Sequence, residues 1–402
     1  MDAKSIGYTI AALRRRQKMT QSELAQRLKV SDKTVSKWEN GLGYPEVTQF
    51  PALAELFAVS IDYIMTGERK GIALAGNILT DLVKTIDEYP RPGMLSSIRS
   101  VSRSVGGCVP NVGIDLAKID RSLPLSAIGR VGDDEYGRYV LTQLARHGID
   151  TGRVRISPTA PTSFSDVMSL RTGERTFFHA RGANAEFSPE DVDLSTLSCR
   201  LLHIGYLLLL DRFDAPDPDR GTVMAGFLHD VQARGIKTSV DMVSDSTADY
   251  GKTVLPALRY CSYAIVNEVE CCAAFGLSPM KADGTPNEDV IRHAMEGMAA
   301  AGVTDKVIVH AKPIGYCLDV KSGRFTSVPS LAFPQGLIRG SVGAGDAFCA
   351  GCLYGLYNGF DDERLLRFAA AAAAASLTEE NAVDGMRPRD ELFTMIERYG
   401  GK

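Results

Sequence analysis

The chain has 402 residues, of which 45% are apolar and 23% are charged, and its formal net charge is −4. These values exclude a disordered chain, and the length allows two or more domains. No apolar run approaches the length of a membrane span and the N-terminus lacks a signal-peptide pattern, so we expect a cytoplasmic protein that makes no use of a membrane.

The distribution of charge along the chain indicates how its domains are organised, and the neighbours of the cysteines indicate their burial. Residues 1–70 contain 11 Lys/Arg and 8 Asp/Glu, a net charge of +3 in a chain whose total is −4. A basic module joined to an acidic body is therefore expected. The eight cysteines, including the CxxC pair Cys349 and Cys352, lie among apolar neighbours, which predicts buried small residues.

The first 66 residues predict five short helices. Residues 20–23 (TQSE) form a capping box that begins the second helix, and Ser31 caps a third helix that runs to Asn40. Val35 and Trp38 face inward on this third helix, whose outer face is polar and basic. Two short helices joined by a tight connection predict a helix-turn-helix.

Segments 20–28 (TQSELAQRL) and 30–41 (VSDKTVSKWENG) resemble the XRE or lambda-repressor-like DNA-binding family, over about residues 4–66. The resemblance implies that Gln21 and Asn40 contact phosphates of double-stranded DNA. It also implies that the third helix presents a set of side chains to the major groove: Asp32, Lys33, Thr34 and Lys37. A helical bundle used for protein contacts is the alternative interpretation.

Segment 66–71 (TGERKG) is short, polar and flanked by glycine, which predicts a domain boundary. We therefore expect one domain over 1–67 and another over 71–400. In the second domain, apolar strands alternate with amphipathic helices, a pattern that predicts an α/β fold with a mostly parallel, three-layer sheet. Segments 82–105 and 163–178 instead predict antiparallel strands of a small separate sheet.

The glycine-rich segment 340–351 (GSVGAGDAFCAG) organises the second domain. An extended lead-in at Leu337 and Ile338 and a helix over 347–357 are expected to place Asp346 at a helix N-terminus. The N–H groups of Gly343, Ala344 and Gly345 then form an anion hole. A carboxylate beside such a site suits removal of a proton from a nucleophile while the N–H groups hold a phosphoryl group.

Four short motifs follow one another along the chain: 106–111 (GGCVPN), 129–137 (GRVGDDEYG), 267–270 (NEVE) and 343–346 (GAGD). Together they resemble the PfkB-type, ribokinase-like carbohydrate kinases over about residues 71–400. The resemblance implies a three-layer sheet with a small β lid, the cofactors ATP and Mg²⁺, and phosphorylation of a hydroxyl of a sugar or sugar acid.

The same resemblance assigns roles to individual residues. Asp346 would be the general base, and Asn267 and Glu270 would organise Mg²⁺ through water. The sugar would be bound by four residues: Asp81, Gly106, Gly107 and Asn111. Arg181 would meet a carboxylate or phosphate of the substrate, although a surface arginine is an equally open interpretation.

Two positions depart from the family pattern. Gly340 stands where the family has Asp or Asn, which leaves a monovalent-cation site open. Lys312 and Gly315 lie where the family has its loop over the nucleotide, and both are expected to contact ATP. His179, His203 and His310 lie in apolar strands and are expected to have structural roles.

Two functional hypotheses follow from the sequence. In the first, one chain is an ATP-dependent carbohydrate kinase and a DNA-binding transcription regulator. In the alternative, the kinase fold is a non-catalytic sensor of sugar or nucleotide attached to a DNA-binding domain. A helix-turn-helix of this type reads paired half-sites, so a homodimer is expected under both hypotheses.

Overall fold

The computed structural model describes residues 2–57, 59–170, 175–245 and 249–400. The chain divides into two compact units. The first comprises Met1–Gly71 together with Asp193–Arg200, and the second comprises Ile72–Val192 and Leu201–Lys402. None of the described helices is long and apolar enough to cross a membrane.

The first unit contains the five predicted helices: α1 (Ala3–Arg16), α2 (Gln21–Leu28), α3 (Asp32–Glu39), α4 (Gln49–Phe57) and α5 (Ile61–Thr66). The capping box at Thr20 and Glu23 begins α2, and Ser31 accepts a hydrogen bond from the Thr34 N–H at the start of α3. Val35 and Trp38 are buried in the helical core, as predicted. Local caps and an apolar face therefore specify this unit.

The strands of the second unit are β1 (Ile72–Gly76), β2 (Leu79–Ile86), β3 (Ile98–Gly106), β4 (Leu125–Gly132), β5 (Asp150–Ser157), β6 (Ser163–Leu170), β7 (Arg175–Ala180), β8 (Leu201–Leu207), β9 (Pro216–Asp217), β10 (Gly221–Thr222), β11 (Lys237–Met242), β12 (Tyr263–Asn267), β13 (Lys306–Ala311), β14 (Ile314–Asp319) and β15 (Arg324–Pro329). Within the described residues, nine of them form one sheet in the order β15-β14-β13-β12-β11-β8-β1-β4-β5. All neighbours are parallel except β13-β14 and β14-β15. The predicted mostly parallel sheet is confirmed.

The helices of the second unit are α6 (Cys108–Ile119), α7 (Glu135–Arg146), α8 (Val223–Ala233), α9 (Tyr250–Leu258), α10 (Glu268–Ala273), α11 (Glu288–Ala301), α12 (Ala344–Tyr357), α13 (Asp362–Ser376) and α14 (Arg389–Tyr399). Helices α12 and α13 approach closely because Gly351 faces α13, where a Cβ would lie 2.7 Å from Ala369 Cα. This contact explains the small residues on both helices. The eight cysteines are buried, as predicted, and none of them forms a disulfide.

A small four-stranded sheet has the order β3-β2-β6-β7. The pairs β2-β3 and β6-β7 are antiparallel, as predicted, and the central pair β2-β6 is parallel. The segment before the glycine-rich turn differs from the prediction. Leu337 lies in a 3₁₀ turn (Gln335–Leu337), and α12 begins at Ala344, three residues earlier than predicted. The helix therefore begins inside the glycine-rich segment, directly after Gly343, whose left-handed backbone forms the N-cap.

Candidate active site

The N-terminus of α12 is shaped for an anion. Its N-cap, Gly343, has φ +76°, a left-handed conformation that favours glycine, and a Cβ there would lie 2.6 Å from Ala382 Cα. The N–H groups of the first turn of a helix lack acceptors within the helix and carry its positive dipole end. The predicted anion hole therefore has a suitable backbone, offered by residues 343–346.

Asp346 lies in this first turn and is buried. Its Oδ1 accepts a 2.6 Å hydrogen bond from the Tyr206 hydroxyl, and its Oδ2 accepts a 2.9 Å bond from Asn111 Nδ2. Burial raises the pKa of Asp346, and these two hydrogen bonds oppose that rise. A carboxylate with a raised pKa and a fixed orientation is suited to accept a proton.

Asn77 holds Tyr206 in place, and Asn111 is itself a hydrogen-bond partner of Asp346. Asn77, which follows β1, accepts the Tyr206 N–H at 2.7 Å through its Oδ1. Asn111 lies in the first turn of α6, and its Oδ1 has no hydrogen-bond partner among the described residues. An unpaired buried carbonyl beside a carboxylate is a good acceptor for a ligand hydroxyl. The sequence did not point to Tyr206 or Asn77.

Asp81 lies in β2 next to the glycine pair of the 106–111 motif. A Cβ on Gly106 would lie 2.4 Å from Asp81 Oδ2, and Gly107 has φ +87° with a Cβ position 2.6 Å from the Asn77 carbonyl oxygen. Burial and then the charge of Asp346 raise the pKa of Asp81 to about 7, against the opposing effects of Arg175 and Ser165. The two carboxyl groups therefore belong to one site.

Asn267 and Glu270 form a capping box at the start of α10. Glu270 Oε2 accepts the Asn267 N–H at 2.9 Å, and Glu270 Oε1 accepts from Asn267 Nδ2 at 2.7 Å and from Ser244 Oγ at 2.9 Å. Burial raises the pKa of Glu270 to about 7. Oxygen donors around a buried carboxylate suit Mg²⁺. Because both Glu270 oxygens already accept hydrogen bonds, contact through water fits better than direct ligation.

Asp241, at the end of β11, is a further acid that the sequence analysis missed. Burial, Glu270 and Asp346 raise its pKa well above the usual range. The structure thus brings together four carboxyl groups from separate parts of the chain: Asp81, Asp241, Glu270 and Asp346. Carboxyl ends of parallel strands meet at one edge of a sheet, which explains how β11 and β12 deliver two of them.

Arg175 begins β7 and Arg181 directly follows it, and the two side chains make different contacts. Arg181 lies 3.0 Å from Asp211 in an ion pair and donates to the Leu208 carbonyl oxygen. Arg175, at the start of β7, donates from Nη2 to the Glu380 carbonyl oxygen, while its Nη1 is buried without a partner among the described residues. Arg175 therefore has unused donor capacity within the described residues, and its charge lowers the pKa of Asp81.

The predicted nucleotide residues lie in the β13-β14 hairpin. Lys312 is exposed at its turn, and its carbonyl oxygen accepts from Ser330 Oγ. A Cβ at Gly315 would lie 3.3 Å from the Phe348 ring, so close packing favours glycine at this position. At Gly340 a Cβ would lie 2.8 Å from the Glu379 carbonyl oxygen, so the backbone occupies the space of the side chain found in the family.

Most of the predicted DNA-contacting residues make hydrogen bonds within the first unit. Gln21 donates to Glu39 Oε2 at 2.8 Å, Asp32 accepts from Ser22 Oγ at 2.7 Å, and Asn40 donates to the Ser36 carbonyl oxygen at 2.8 Å. Thr34 is half-buried and contacts Ser31. Lys33 and Lys37 are exposed on α3.

Comparison with known protein families decides the identity of the second unit. The family model described as pfkB family carbohydrate kinase matches residues 69–389, and a helix-turn-helix model matches residues 10–64. The chain belongs to the pfkB carbohydrate kinase family. It is a carbohydrate kinase with an N-terminal helix-turn-helix domain, as the resemblance implied.

Relatives of this kinase include two sugar-acid kinases. It is 26% identical over 349 residues to a 5-dehydro-2-deoxygluconokinase of Shouchella clausii, which covers 82% of this chain and 97% of the relative. It is 24% identical over 344 residues to the enzyme of the same name from Geobacillus kaustophilus, covering 81% and 92%.

Solved structures share the fold of this kinase. The ribokinase of Thermotoga maritima matches with a TM-score of 0.66 at 21% identity, covering 82% of this chain and 99% of that one. The ribokinase of Arabidopsis thaliana, complexed with ribose and ATP, matches with a TM-score of 0.66 at 20% identity and the same coverage. The ribokinase-like α/β fold is therefore confirmed.

Proposed function

We propose that the protein transfers a phosphoryl group from ATP to a hydroxyl of a sugar acid, and that its first unit binds DNA as a transcription regulator. The observation that carries the catalytic proposal is the placement of Asp346. Its buried carboxylate is held by Asn111 and Tyr206 in the first turn of α12, beside backbone N–H groups suited to an anion. The non-catalytic alternative does not require this arrangement.

In the proposed reaction, Asp346 accepts the proton of the substrate hydroxyl as that oxygen attacks the γ-phosphorus. Carboxylate oxygens have lone pairs beyond those used by Tyr206 and Asn111, so a substrate hydroxyl can be held at the same time. The N–H groups at 343–346 stabilise the transferring phosphoryl. Asn267 and Glu270 would hold hydrated Mg²⁺, which neutralises phosphate charge.

Asp81 and Asn111 bind the sugar in this proposal. An ionised Asp81 accepts hydrogen bonds from two neighbouring hydroxyls, and Gly106 leaves the room for its carboxylate. Lys312 and Gly315 remain proposed contacts of the nucleotide. Both activities, ATP use and DNA binding, are consistent with the cytoplasm.

A sugar acid is favoured over a neutral sugar because of Arg175. Its Nη1 is buried and has no partner within the described part of the chain, and a buried unpaired donor is costly unless a ligand satisfies it. Arg181 is already paired with Asp211, so we expect it to contribute less. A guanidinium group binds a carboxylate through two parallel hydrogen bonds. The names of the two relatives above are those of sugar-acid kinases, which agrees with this assignment.

The test is ADP release from the purified protein with ATP, Mg²⁺ and matched pairs of sugar acids and neutral sugars, including 5-dehydro-2-deoxygluconate. We expect turnover of one acid and little of its neutral partner. Arg175→Met should raise KM for the acid by ~10-fold or more, whereas Arg181→Met should change it less. Equal turnover of acid and neutral partner would contradict the sugar-acid assignment, and silence across the panel would contradict catalysis.

The DNA-binding proposal depends on Lys33 and Lys37, which are exposed on the second helix of the helix-turn-helix. We propose that a homodimer places two such helices in successive major grooves. Binding to a pool of random double-stranded DNA should weaken as salt rises. Lys37→Ala should weaken it and reduce the salt dependence, and Lys252→Ala in the second unit should not. Salt-independent binding, or a monomer in sedimentation with operator present, would contradict the proposal.

A further inference from the structure

Three ligand-type side chains meet in the core below Asp346. His203 comes from β8, Asp241 from β11 and Cys349 from α12, and the three are buried. His203 pairs in register with Ser239, and residues two apart in a strand share a face, so Asp241 lies on the same face of the sheet as His203. Cys349 is three residues after Asp346, about one helical turn deeper.

The distances match a metal site. His203 Nε2 lies 3.6 Å from Cys349 Sγ, and with a carboxylate oxygen of Asp241 the three ligand atoms lie within 4.8 Å of one another. A tetrahedral Zn²⁺ with bonds of about 2.3 Å to sulfur and about 2.0 Å to nitrogen separates these two atoms by about 3.5 Å. The observed sulfur-to-nitrogen distance therefore needs almost no adjustment.

The second ring nitrogen of His203 is fixed as a metal-binding histidine requires. Nδ1 lies 3.0 Å from Ser239 Oγ. When a metal binds Nε2, the ring proton lies on Nδ1, where Ser239 Oγ is placed to accept it. Metal-binding histidines commonly donate their other N–H to an oxygen in this way, which fixes the tautomer and the ring orientation.

Charge balance also favours a divalent cation. One thiolate, one carboxylate and one neutral imidazole around a 2+ ion leave no net charge, which is the state a buried site tolerates. The donor set of sulfur, nitrogen and oxygen suits Zn²⁺, whereas the oxygen donors around Glu270 suit Mg²⁺.

We propose that His203, Asp241 and Cys349 bind one soft divalent cation, Zn²⁺, at a site separate from the proposed Mg²⁺ position. Binding forms bonds from the metal to Cys349 Sγ and to an Asp241 oxygen, and releases the thiol proton and the carboxyl proton to solvent. Cys108 and Asp241 pack closely against Gly205, where a Cβ would lie 2.9 Å from Cys108 Sγ and 3.4 Å from Asp241 Cβ. Water would complete a four-coordinate site. The bound ion links β8, β11 and α12, the elements that carry Tyr206, Asp241 and Asp346.

The test is titration of the full-length, EDTA-treated protein with Co²⁺ as a spectroscopic substitute for Zn²⁺. We expect one equivalent to produce intense visible bands of tetrahedral Co²⁺ and a near-ultraviolet thiolate-to-metal band. Cys349→Ser should remove the thiolate band, and His203→Gln should weaken binding by ~10-fold or more. Cys261→Ser, at a buried cysteine elsewhere in the unit, should leave the spectrum unchanged.

A second measurement guards against variants that fail to fold. One equivalent of Zn²⁺ should raise the thermal unfolding midpoint of the wild type and of Cys261→Ser but not that of Cys349→Ser. Weak octahedral Co²⁺ bands without a thiolate band would place the cation among oxygen ligands and overturn the proposal. A thiolate band that persists in Cys349→Ser would also overturn it.

Discussion

The side chains of Glu39 in the first unit and Asp346 in the second are both largely shielded from solvent, yet only Glu39 has a basic partner. Glu39 accepts from Arg14 Nε at 2.6 Å and Nη2 at 2.8 Å, and from Gln21. Burial raises the pKa of Glu39, but these hydrogen bonds outweigh it and the pKa is lowered. Asp346 has two neutral donors and a raised pKa. A compensated carboxylate stabilises a fold, whereas an uncompensated one is available for proton transfer.

The second unit contains its own compensated example, so the contrast is not one between domains. Asp362, at the start of α13, is buried and accepts from Lys306 Nζ at 2.6 Å and from Arg324 Nη2 at 2.6 Å. Asp346 and Asp362 thus lie in the same unit with opposite surroundings. Exchanging each for asparagine separates the functional carboxylate from the structural one.

The largest effect is expected for Asp346→Asn. Loss of a general base lowers kcat by about 10²–10⁴-fold, while the thermal midpoint should be unchanged or higher because a buried charge is removed. Asp362→Asn is the matched control. It should lower the free energy of unfolding by about 1–3 kcal/mol and leave kcat nearly unchanged. If the two variants lost activity equally, the assignment of Asp346 as the base would be wrong.

The second prediction breaks the compensated pair in the first unit. Glu39→Gln should lower the free energy of unfolding of that unit by about 2 kcal/mol. The chain has one tryptophan, Trp38, and it is buried in this unit, so its fluorescence follows the unit alone. ADP release by the second unit should not change.

The pH dependence of stability should also distinguish Glu39→Gln from the wild type. Because the folded pKa of Glu39 is lowered, its stabilisation is present above the unfolded pKa and is lost as the pH falls through the folded value. The wild type should therefore lose stability on acidification more steeply than Glu39→Gln. The exposed Glu55→Gln is the control and should follow the wild type. Identical acid transitions in Glu39→Gln and wild type would remove the pair as a source of stability.

The third prediction concerns Asp81, whose pKa is raised to about 7. If its carboxylate binds substrate hydroxyls, KM for the sugar acid should be about tenfold higher at pH 6 than at pH 8, because the ionised fraction falls to about a tenth below that pKa. The direction follows from the acid: protonation at low pH removes an acceptor. In Asp81→Asn, KM should be high and independent of pH over this range.

The sequence predicted the residues that carry a local signature. Asp346 and Asn111 were predicted as site residues because glycines beside them mark turns at helix starts, and Asn267 with Glu270 because segment 267–270 resembles a motif of the family. The stretch 201–210 is almost continuously apolar, so Tyr206 has the appearance of a core residue in the sequence. Asp241 ends an apolar strand of a parallel sheet, a position at which an acid could have been recognised.

Other features depend on distance in space rather than along the chain. His203 and Cys349 are separated by 146 residues and meet only because β8 lies below α12. The unpaired Nη1 of Arg175 and the ion pair of Arg181 follow from packing around the small sheet, and sequence alone favoured the second arginine. The caps and apolar faces of the first unit are local features of the sequence. Its five helices were therefore predicted more completely than the contacts of the second unit.

The smallest effect is expected for Tyr206→Phe, which changes one of the two neutral donors to Asp346. The Tyr206 hydroxyl lowers the pKa of Asp346, so its removal should raise that pKa and shift the acidic limb of the kcat profile to higher pH. We expect a loss of about threefold at neutral pH, which corresponds to less than one neutral hydrogen bond, and recovery at alkaline pH, where the base is ionised in both proteins. Tyr354→Phe, at a buried tyrosine of α12, is the control and should keep the wild-type profile. A uniform loss at every pH would instead indicate that Tyr206 positions the substrate, and a shift to lower pH would contradict the role of its hydroxyl as a donor to the base.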